Sequence, residues 1–223
     1  MQADALQALA ASPLTKGISR KDLAELFASS QIQLRSYARG ELIFHAGDVP
    51  ERLYVLVRGA VHILQDTISG RQIFITEIAA AGDMFGEVYL FMGAAEYDMY
   101  AQAAAAAQVL VLEGSLFSLA ETGVGAAVAA MQRNLLRIFA GKAYFLNRRV
   151  RVLASGSLRG RIARWLLQMP SVPELGRESL AAELAVTRPS LSRELSAMQA
   201  EGLLQLDGRR IVVLERKKLE LYL

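Results

Sequence analysis

Residues 177–214 constrain this chain most, because their apolar spacing, turn chemistry and charge admit few folds. Leu180 and Leu184 give a first helix an apolar face, Ala185, Val186 and Thr187 make a short turn, and Leu191, Leu195 and Met198 recur at the 3.6-residue period of a second helix. Thr187 is placed to cap that second helix, its hydroxyl available to an orphan backbone N–H. Pro189 falls in the first turn, where a missing N–H costs no helical bond. The spacing predicts a helix that begins at Arg188 and is stopped by Gly202. Residues 203–206 and 210–214 then read as two strands joined at Asp207-Gly208, a pair expected to supply the positive φ angles of a type I′ hairpin. This pattern is a winged helix-turn-helix, which lays one helix in the major groove of DNA. Thr187, Arg188, Pro189, Ser190, Ser192 and Arg193 stand at the start of that helix, where base edges come within reach.

The charge distribution supports a nucleic-acid partner. Residues 148–223 carry a net charge of +6, whereas residues 1–147 carry −3. Neutralising phosphates with Lys and Arg supplies most sequence-independent affinity, so a basic module joined to a mildly acidic one suits a double-stranded DNA reader attached to a domain of other purpose. Two amphipathic helices and a turn also serve as plain packing or protein-docking elements, and the wing and the charge asymmetry are what favour DNA over them. Arg193 suits a bidentate contact to guanine O6 and N7, Arg188 a second guanine or a phosphate, and Ser190 and Ser192 adaptable contacts to either.

At 223 residues and 53% hydrophobic, the chain has apolar material for two modest domains. With zero cysteines it has no disulfide, no thiolate metal site and no iron-sulfur cluster on its own Cys ligands. No stretch approaches the ~20 apolar residues needed to span a bilayer, and the start lacks the basic and apolar regions of a signal peptide, so a cytoplasmic protein without membrane contact is expected. The chain holds two histidines in all, with no His-x-His pair, and no Ser-His-Asp constellation, phosphate-cradling glycine loop or paired-carboxylate site stands out. An enzyme is therefore not expected. The competing reading of that class is a cupin-like metal enzyme, which would bind iron through two or three histidines and a carboxylate.

Between the two ends, Val124, Val128, Met131, Leu135, Ile138, Lys142, Phe145, Arg149 and Val152 fall at alternating steps of four and three, the seam of a coiled coil. Val128, Met131, Leu135, Ile138, Lys142 and Phe145 are the expected dimer interface. A helix packed on its own domain is the alternative, since Lys142 and Arg149 interrupt the apolar seam. A dimer suits the C-terminal motif, because helix-turn-helix proteins read two half-sites about 34 Å apart across a two-fold axis. Upstream, residues 42–44, 53–57, 60–64, 72–78 and 108–112 are short, rich in β-branched and aromatic residues, and punctuated by Gly40, Gly47, Gly59, Gly70 and Gly82. They predict a β-roll or jelly roll. The alanines at 103–107 favour helix by propensity, but the strands on either side are expected to override it. The fold class expected is α+β: a β-roll domain with N-terminal helices over 1–122, a dimerisation helix over 123–154, and the winged helix-turn-helix over 155–223.

Four segments in this order carry a family resemblance: Phe44-His45-Ala46-Gly47-Asp48, residues 53–59, residues 82–91 with Gly86-Glu87, and Arg188-Pro189-Ser190-Leu191-Ser192-Arg193-Glu194-Leu195. The chain resembles the Crp/Fnr superfamily of bacterial transcription regulators from about Ile18 onward. The resemblance implies a cyclic-nucleotide-binding-like β-roll that senses a small-molecule or gas effector, a homodimer on a palindromic operator, and RNA polymerase as a partner. It places the effector pocket at Gly86, Glu87, Tyr97 and Asp98. In the cyclic-nucleotide-binding members an Arg-Ser pair holds the phosphate where this chain has Tyr97-Asp98, and an aspartate there sets an anion against an anion. Cyclic AMP is therefore not the expected effector, unless Arg58 or Arg71 reaches in from a neighbouring strand. The family's haem sensors of nitric oxide or carbon monoxide need an apolar cavity and an axial ligand, for which His45 and His62 are the candidates, with Met84, Met92 and Met99 behind them. Residues 91–97 and 206–219 are similar to the branch that regulates nitrosative-stress and denitrification genes. Family members usually carry Glu where this chain has Pro189, so the operator is expected to differ at that base pair.

Overall fold

The computed structural model describes residues 2–118, 125–168 and 176–223; Val124 and the expected boundary at 122/123 lie outside them. The chain forms two compact units, Met1–Phe139 and Ala140–Leu223.

The first unit opens with helices α1 (Gln2–Ala11) and α2 (Arg20–Ala28), the latter capped by Ser19, whose hydroxyl accepts from the Asp22 amide at 3.2 Å. Eight strands follow: β1 (Ile32–Tyr37), β2 (Leu42–Phe44), β3 (Arg52–Arg58), β4 (Val61–Asp66), β5 (Gln72–Ile78), β6 (Met84–Phe85), β7 (Tyr100–Ala103) and β8 (Ala107–Glu113), with helix α3 (Glu87–Met92) between β6 and β7. They build two antiparallel sheets, ordered β1-β8-β3-β6 and β2-β7-β4-β5. The first sheet is covered on both faces, which explains why residues 53–57 and 109–112 read as unbroken apolar runs. Leu53, Val55, Leu110 and Leu112 face a core shared with α1 and α2, while Tyr54, Leu56, Val109 and Val111 face a second core shared with Phe44, Val61 and Ile63 of the other sheet. Each such fully buried side chain contributes roughly 1.5–3 kcal/mol. β5 is an edge strand and stays exposed along nearly its whole length. The alanine run resolves as tertiary context requires: Ala103 ends β7 and Ala107 begins β8. The turn between them approaches Gly59 so closely that a Cβ there would lie 2.4 Å from the Ala106 carbonyl oxygen.

The members of the expected seam on helix α4 (Gly125–Leu153) differ in burial. Val128, Met131 and Leu135 are buried in the first unit's own core and Val152 in the second unit's, while Ile138 is half-buried and Lys142, Phe145 and Arg149 are exposed. The first half of that seam is thus occupied within the chain. One residue further along, Leu136, Phe139, Ala143, Leu146, Val150 and Leu153 form a second stripe at alternating steps of three and four, without a charged member. Leu136, Leu146 and Val150 on it are 70, 65 and 55% exposed.

The second unit packs α5 (Leu158–Gln168), α6 (Arg177–Glu183), α7 (Arg188–Ala200), the hairpin β9 (Leu204–Asp207) and β10 (Arg210–Val213), and α8 (Arg216–Glu220) around Ile162, Trp165, Leu166, Leu180, Leu191, Leu195 and Met198. Because Asp207 pairs with Arg210, the hairpin's central residues are Gly208-Arg209, and of these only Gly208 has positive φ, at 56°. That is the requirement of a type II′ turn, not of the type I′ turn expected from Asp207-Gly208. Among the described residues no helix is long and apolar enough to cross a membrane.

Candidate DNA-binding surface and sensor site

The turn between α6 and α7 is a Schellman motif: the Val186 amide donates to the Ala181 carbonyl at 2.9 Å and the Ala185 amide to that of Ala182 at 3.2 Å. Ala185 occupies the left-handed position at φ 52°, where glycine is favoured. The chain then enters α7 with Thr187 as N-cap, its hydroxyl accepting from the Ser190 amide at 3.4 Å, and Pro189 in the first turn. With Leu191, Leu195 and Met198 pointing inward at 0% exposure, the opposite face follows by geometry. Thr187, Arg188, Pro189 and Arg193 are exposed, and Ser190 and Ser192 are half-buried beside them. Exposed Ser196, three residues after Arg193, lies on the same stripe; sequence reasoning missed it, and the i, i+3 spacing was the signal. Arg188 Nε lies 3.9 Å from Glu178 Oε2, a surface pair of little energetic weight.

Arg159 on α5 fixes the back of α7. Its Nε donates to Glu194 Oε1 at 2.6 Å and its Nη1 to Glu201 Oε2 at 2.7 Å, while the guanidinium stands 5.3 Å from the Tyr222 ring centroid. The bonds to Glu201, Glu194 and Tyr222 hold the guanidinium pKa above its ordinary value. Gln199 ties the wing to the same helix, its Oε1 accepting from the Leu206 amide at 2.6 Å, and Arg177 Nη2 donates to the Gly208 carbonyl at 3.2 Å. Arg209 and Arg210 are exposed on the wing.

In the first unit, Gly86 caps α3 at φ 80°, and a Cβ there would meet the Tyr54 ring at 2.9 Å, so conformation and space both require glycine. Glu87 is buried at 3% exposure. Tyr97 and Asp98 diverge. The Tyr97 ring enters the core between the sheets, stacks on Phe44 with centroids 4.0 Å apart, and leaves its hydroxyl buried without a hydrogen-bond partner. Burial first, then neighbouring Tyr54, Glu87 and Asp48, push its phenol well above the usual range. Asp98 faces outward, accepting from the Tyr89 hydroxyl and from Gln65 Nε2 at 3.5 Å. Burial and then the bond to Asp98 push the Tyr89 phenol up to about 12. Thus Gly86 lies against the Tyr54 ring and the Tyr97 ring packs between the sheets, while Asp98 faces outward. Arg58 and Arg71 are exposed at strand ends.

Each of the two histidines stands beside a carboxylate, and among the described residues no group of three or more His, Asp or Glu is placed to hold a metal ion. His45 Nδ1 lies 3.3 Å from Asp48 Oδ2, and His62 Nε2 lies 3.3 Å from Glu77 Oε1 with its ring edge-on to Phe74. A groove of about 850 Å³ runs along α3 and the first half of α4, lined by Val88, Phe91, Met92, Phe117, Leu136 and Phe139 among others, and neither histidine reaches it.

The family model for a cyclic nucleotide-binding domain matches residues 34–119, and that for a Crp-like helix-turn-helix domain matches residues 160–222. The chain is 24% identical over 226 residues to the CRP-like cAMP-activated global transcriptional regulator of Mycobacterium tuberculosis, covering 95% of this chain and 96% of that one. It is 28% identical over 198 residues to the transcriptional regulator LdrP of Thermus thermophilus, covering 84% and 95%. In fold it is similar to the Thermus thermophilus catabolite activator protein, with a TM-score of 0.55, 24% identity, and coverage of 95% and 98%. With both family domains matched in order and a like fold along nearly its whole length, the chain belongs to the Crp/Fnr family of DNA-binding transcription regulators.

Proposed function

We propose that this regulator reads a palindromic operator as a homodimer and that its sensor responds to a small molecule other than cyclic AMP. The observation that carries the DNA reading is the polar outer face of α7, with Arg188, Pro189, Ser190, Ser192, Arg193 and Ser196 on a helix whose back is clamped by Arg159 and whose wing is tied by Gln199. Clamping matters because base contacts require donors held at fixed positions before the duplex arrives. Arg193 is assigned the bidentate guanine contact and Arg188 a second guanine or a phosphate, released from Glu178 on binding. The dimer is assigned to the stripe Leu136, Phe139, Ala143, Leu146, Val150 and Leu153, which keeps a coiled-coil repeat with every member apolar. Sensor, dimer helix and reader are assigned to 1–122, 123–154 and 155–223, with the cytoplasm as the working compartment and RNA polymerase as the partner.

The effector assignment rests on Tyr97. Where the cyclic-nucleotide-binding members need a cation for the phosphate, this chain buries an aromatic ring against Phe44, and the next residue is an outward-facing carboxylate. Haem is not part of this reading, because each histidine stands beside a carboxylate and, of the candidate axial ligands, Met92 alone lines the groove along α3. Effector binding shifts α4 against its partner and re-aims α7 through residues 154–157, where Gly156 has open space around it. Operator titration of Arg193→Ala tests the DNA assignment: a loss of about 1–3 kcal/mol with specificity relaxed at one base pair is expected. Equal loss on operator and random duplex would reduce Arg193 to a phosphate contact.

A further inference from the structure

The wing is a hairpin of two four-residue strands, and a two-stranded hairpin is marginal on its own. Its base is held by packing, with Leu204 and Ile211 buried, and by the bond from the Leu206 amide to Gln199. Its tip lacks such packing: Asp207, Gly208, Arg209 and Arg210 are all exposed. What reaches the tip is Arg177, the first residue of α6, whose Nη2 donates to the Gly208 carbonyl at 3.2 Å across 31 residues of sequence. Two features set this residue apart from an arginine kept for stability. A cation at the first position of a helix opposes the macrodipole, and Gly176 before it offers no side-chain cap in compensation. Nη1 of the same guanidinium is buried with no hydrogen-bond partner, a cost that a purely stabilising arginine would not carry.

Arg209 follows the latched residue directly. In the ladder Arg210 stands opposite Asp207, a residue of opposite charge, whereas Arg209 lies in the turn, beyond the last pair, so no side chain of the ladder faces it. A tip free to swing has to be ordered as the duplex arrives, and that ordering subtracts from affinity. A tip tied at Gly208 presents Arg209 in a set direction. We propose that Arg177 is a positioning residue for DNA binding: by holding the Gly208 carbonyl it fixes the wing tip, so that Arg209 of each protomer neutralises one backbone phosphate beside the groove that α7 enters. The inference rests on the reading of α7 as the DNA-binding helix. Arg177 itself does not touch the duplex, and because the contact it serves is to phosphate, it adds affinity at every sequence alike.

Binding of the full chain to a duplex selected from a random library, measured across salt concentration, tests the latch. Arg209→Ala should lower the log–log salt slope by about 1.8, one phosphate per protomer at roughly 0.9 each. Arg177→Met should lower it equally, and the double variant by the same ~1.8 in place of the ~3.6 of two independent contacts. The loss should be equal on the selected and on random duplex, so that their affinity ratio is kept, and the urea midpoint of the second unit should stay where it is. The latch is overturned if Arg177→Met keeps the parent's slope, or if the double variant loses both increments, which would make Arg177 a phosphate ligand in its own right. Should Arg177→Met fail to fold, Arg177→Gln, whose shorter side chain stops short of Gly208, takes its place, and a parental slope there overturns the proposal. A parent with no salt-dependent duplex binding would instead sink the DNA reading on which the latch rests, and the latch with it.

Discussion

Leu146→Ala and Phe145→Ala separate the two readings of the long helix, because the residues are adjacent and almost equally exposed, at 65 and 64%, but only Leu146 lies on the uninterrupted apolar stripe. Burying a whole leucine side chain is worth roughly 1.5–3 kcal/mol, so covering the exposed two-thirds of Leu146 contributes about 1–2 kcal/mol per copy. Two-fold symmetry counts it twice. Allowing for the Cβ that alanine keeps, Leu146→Ala should weaken the dimer by about 2–3 kcal/mol, roughly 30- to 150-fold in Kd at 1.4 kcal/mol per tenfold. Phe145 falls on the helix flank in the same repeat, so Phe145→Ala should change Kd by less than about threefold. Sedimentation equilibrium of the two variants and the parent reads this directly, and neither substitution should change monomer unfolding by more than about 0.5 kcal/mol, since both side chains are exposed in the monomer. If Phe145→Ala dissociates the dimer and Leu146→Ala does not, the seam has been assigned to the wrong face.

Tyr97→Phe removes a buried hydroxyl that has no partner and should stabilise the sensor unit by about 1 kcal/mol, seen as a rise in its thermal midpoint; a lower midpoint would mean that the hydroxyl has a partner in solution. Arg159→Met breaks two charge-assisted bonds, one to the 44%-exposed Glu201, and should lower the stability of the DNA-binding unit by about 2–3 kcal/mol in urea unfolding followed by Trp165 fluorescence. An unmoved midpoint would remove the clamp from the account. Alkaline unfolding should show the cost of ionising Tyr54, whose phenol burial pushes up to about 12 against 10 in the unfolded chain. Between those values the unfolded state releases its proton first, so stability falls as pH rises, by about 1.4 kcal/mol per pH unit for this group, and Tyr54→Phe should flatten the slope.

The DNA-binding unit was legible residue by residue because its signals are local. Thr187, Pro189, Gly202 and the period of Leu191, Leu195 and Met198 each act through the backbone within a turn or two. The wing's turn type was not, since it depends on which residue ends the strand pairing, and Asp207 is consumed by its pair with Arg210. Which stripe of α4 is free to pair was not legible for a related reason. Two apolar stripes lie side by side on that helix, and nothing local says that Val128, Met131 and Leu135 are claimed by the β-roll, leaving Leu136 and Leu146 exposed. At the sensor, the sequence showed that the Arg-Ser pair was missing, but not that Tyr97 turns inward onto Phe44 while Asp98 turns out to Tyr89. Side-chain direction in an irregular segment is set by long-range packing, which has no period to read.

The central claim is that paired copies of α7 read one duplex by a charged, sequence-selective face, and binding of the full chain to an operator selected from a random duplex library, measured across salt concentration, tests it most directly. Affinity for the selected site should exceed that for random duplex by at least about a thousandfold, the site should be palindromic with half-site centres about one helical turn apart, and affinity should fall steeply with salt, by roughly 0.9 in log–log slope for each phosphate neutralised. A monomeric protein that selects no sequence, or one whose weak duplex binding ignores salt, would contradict the account.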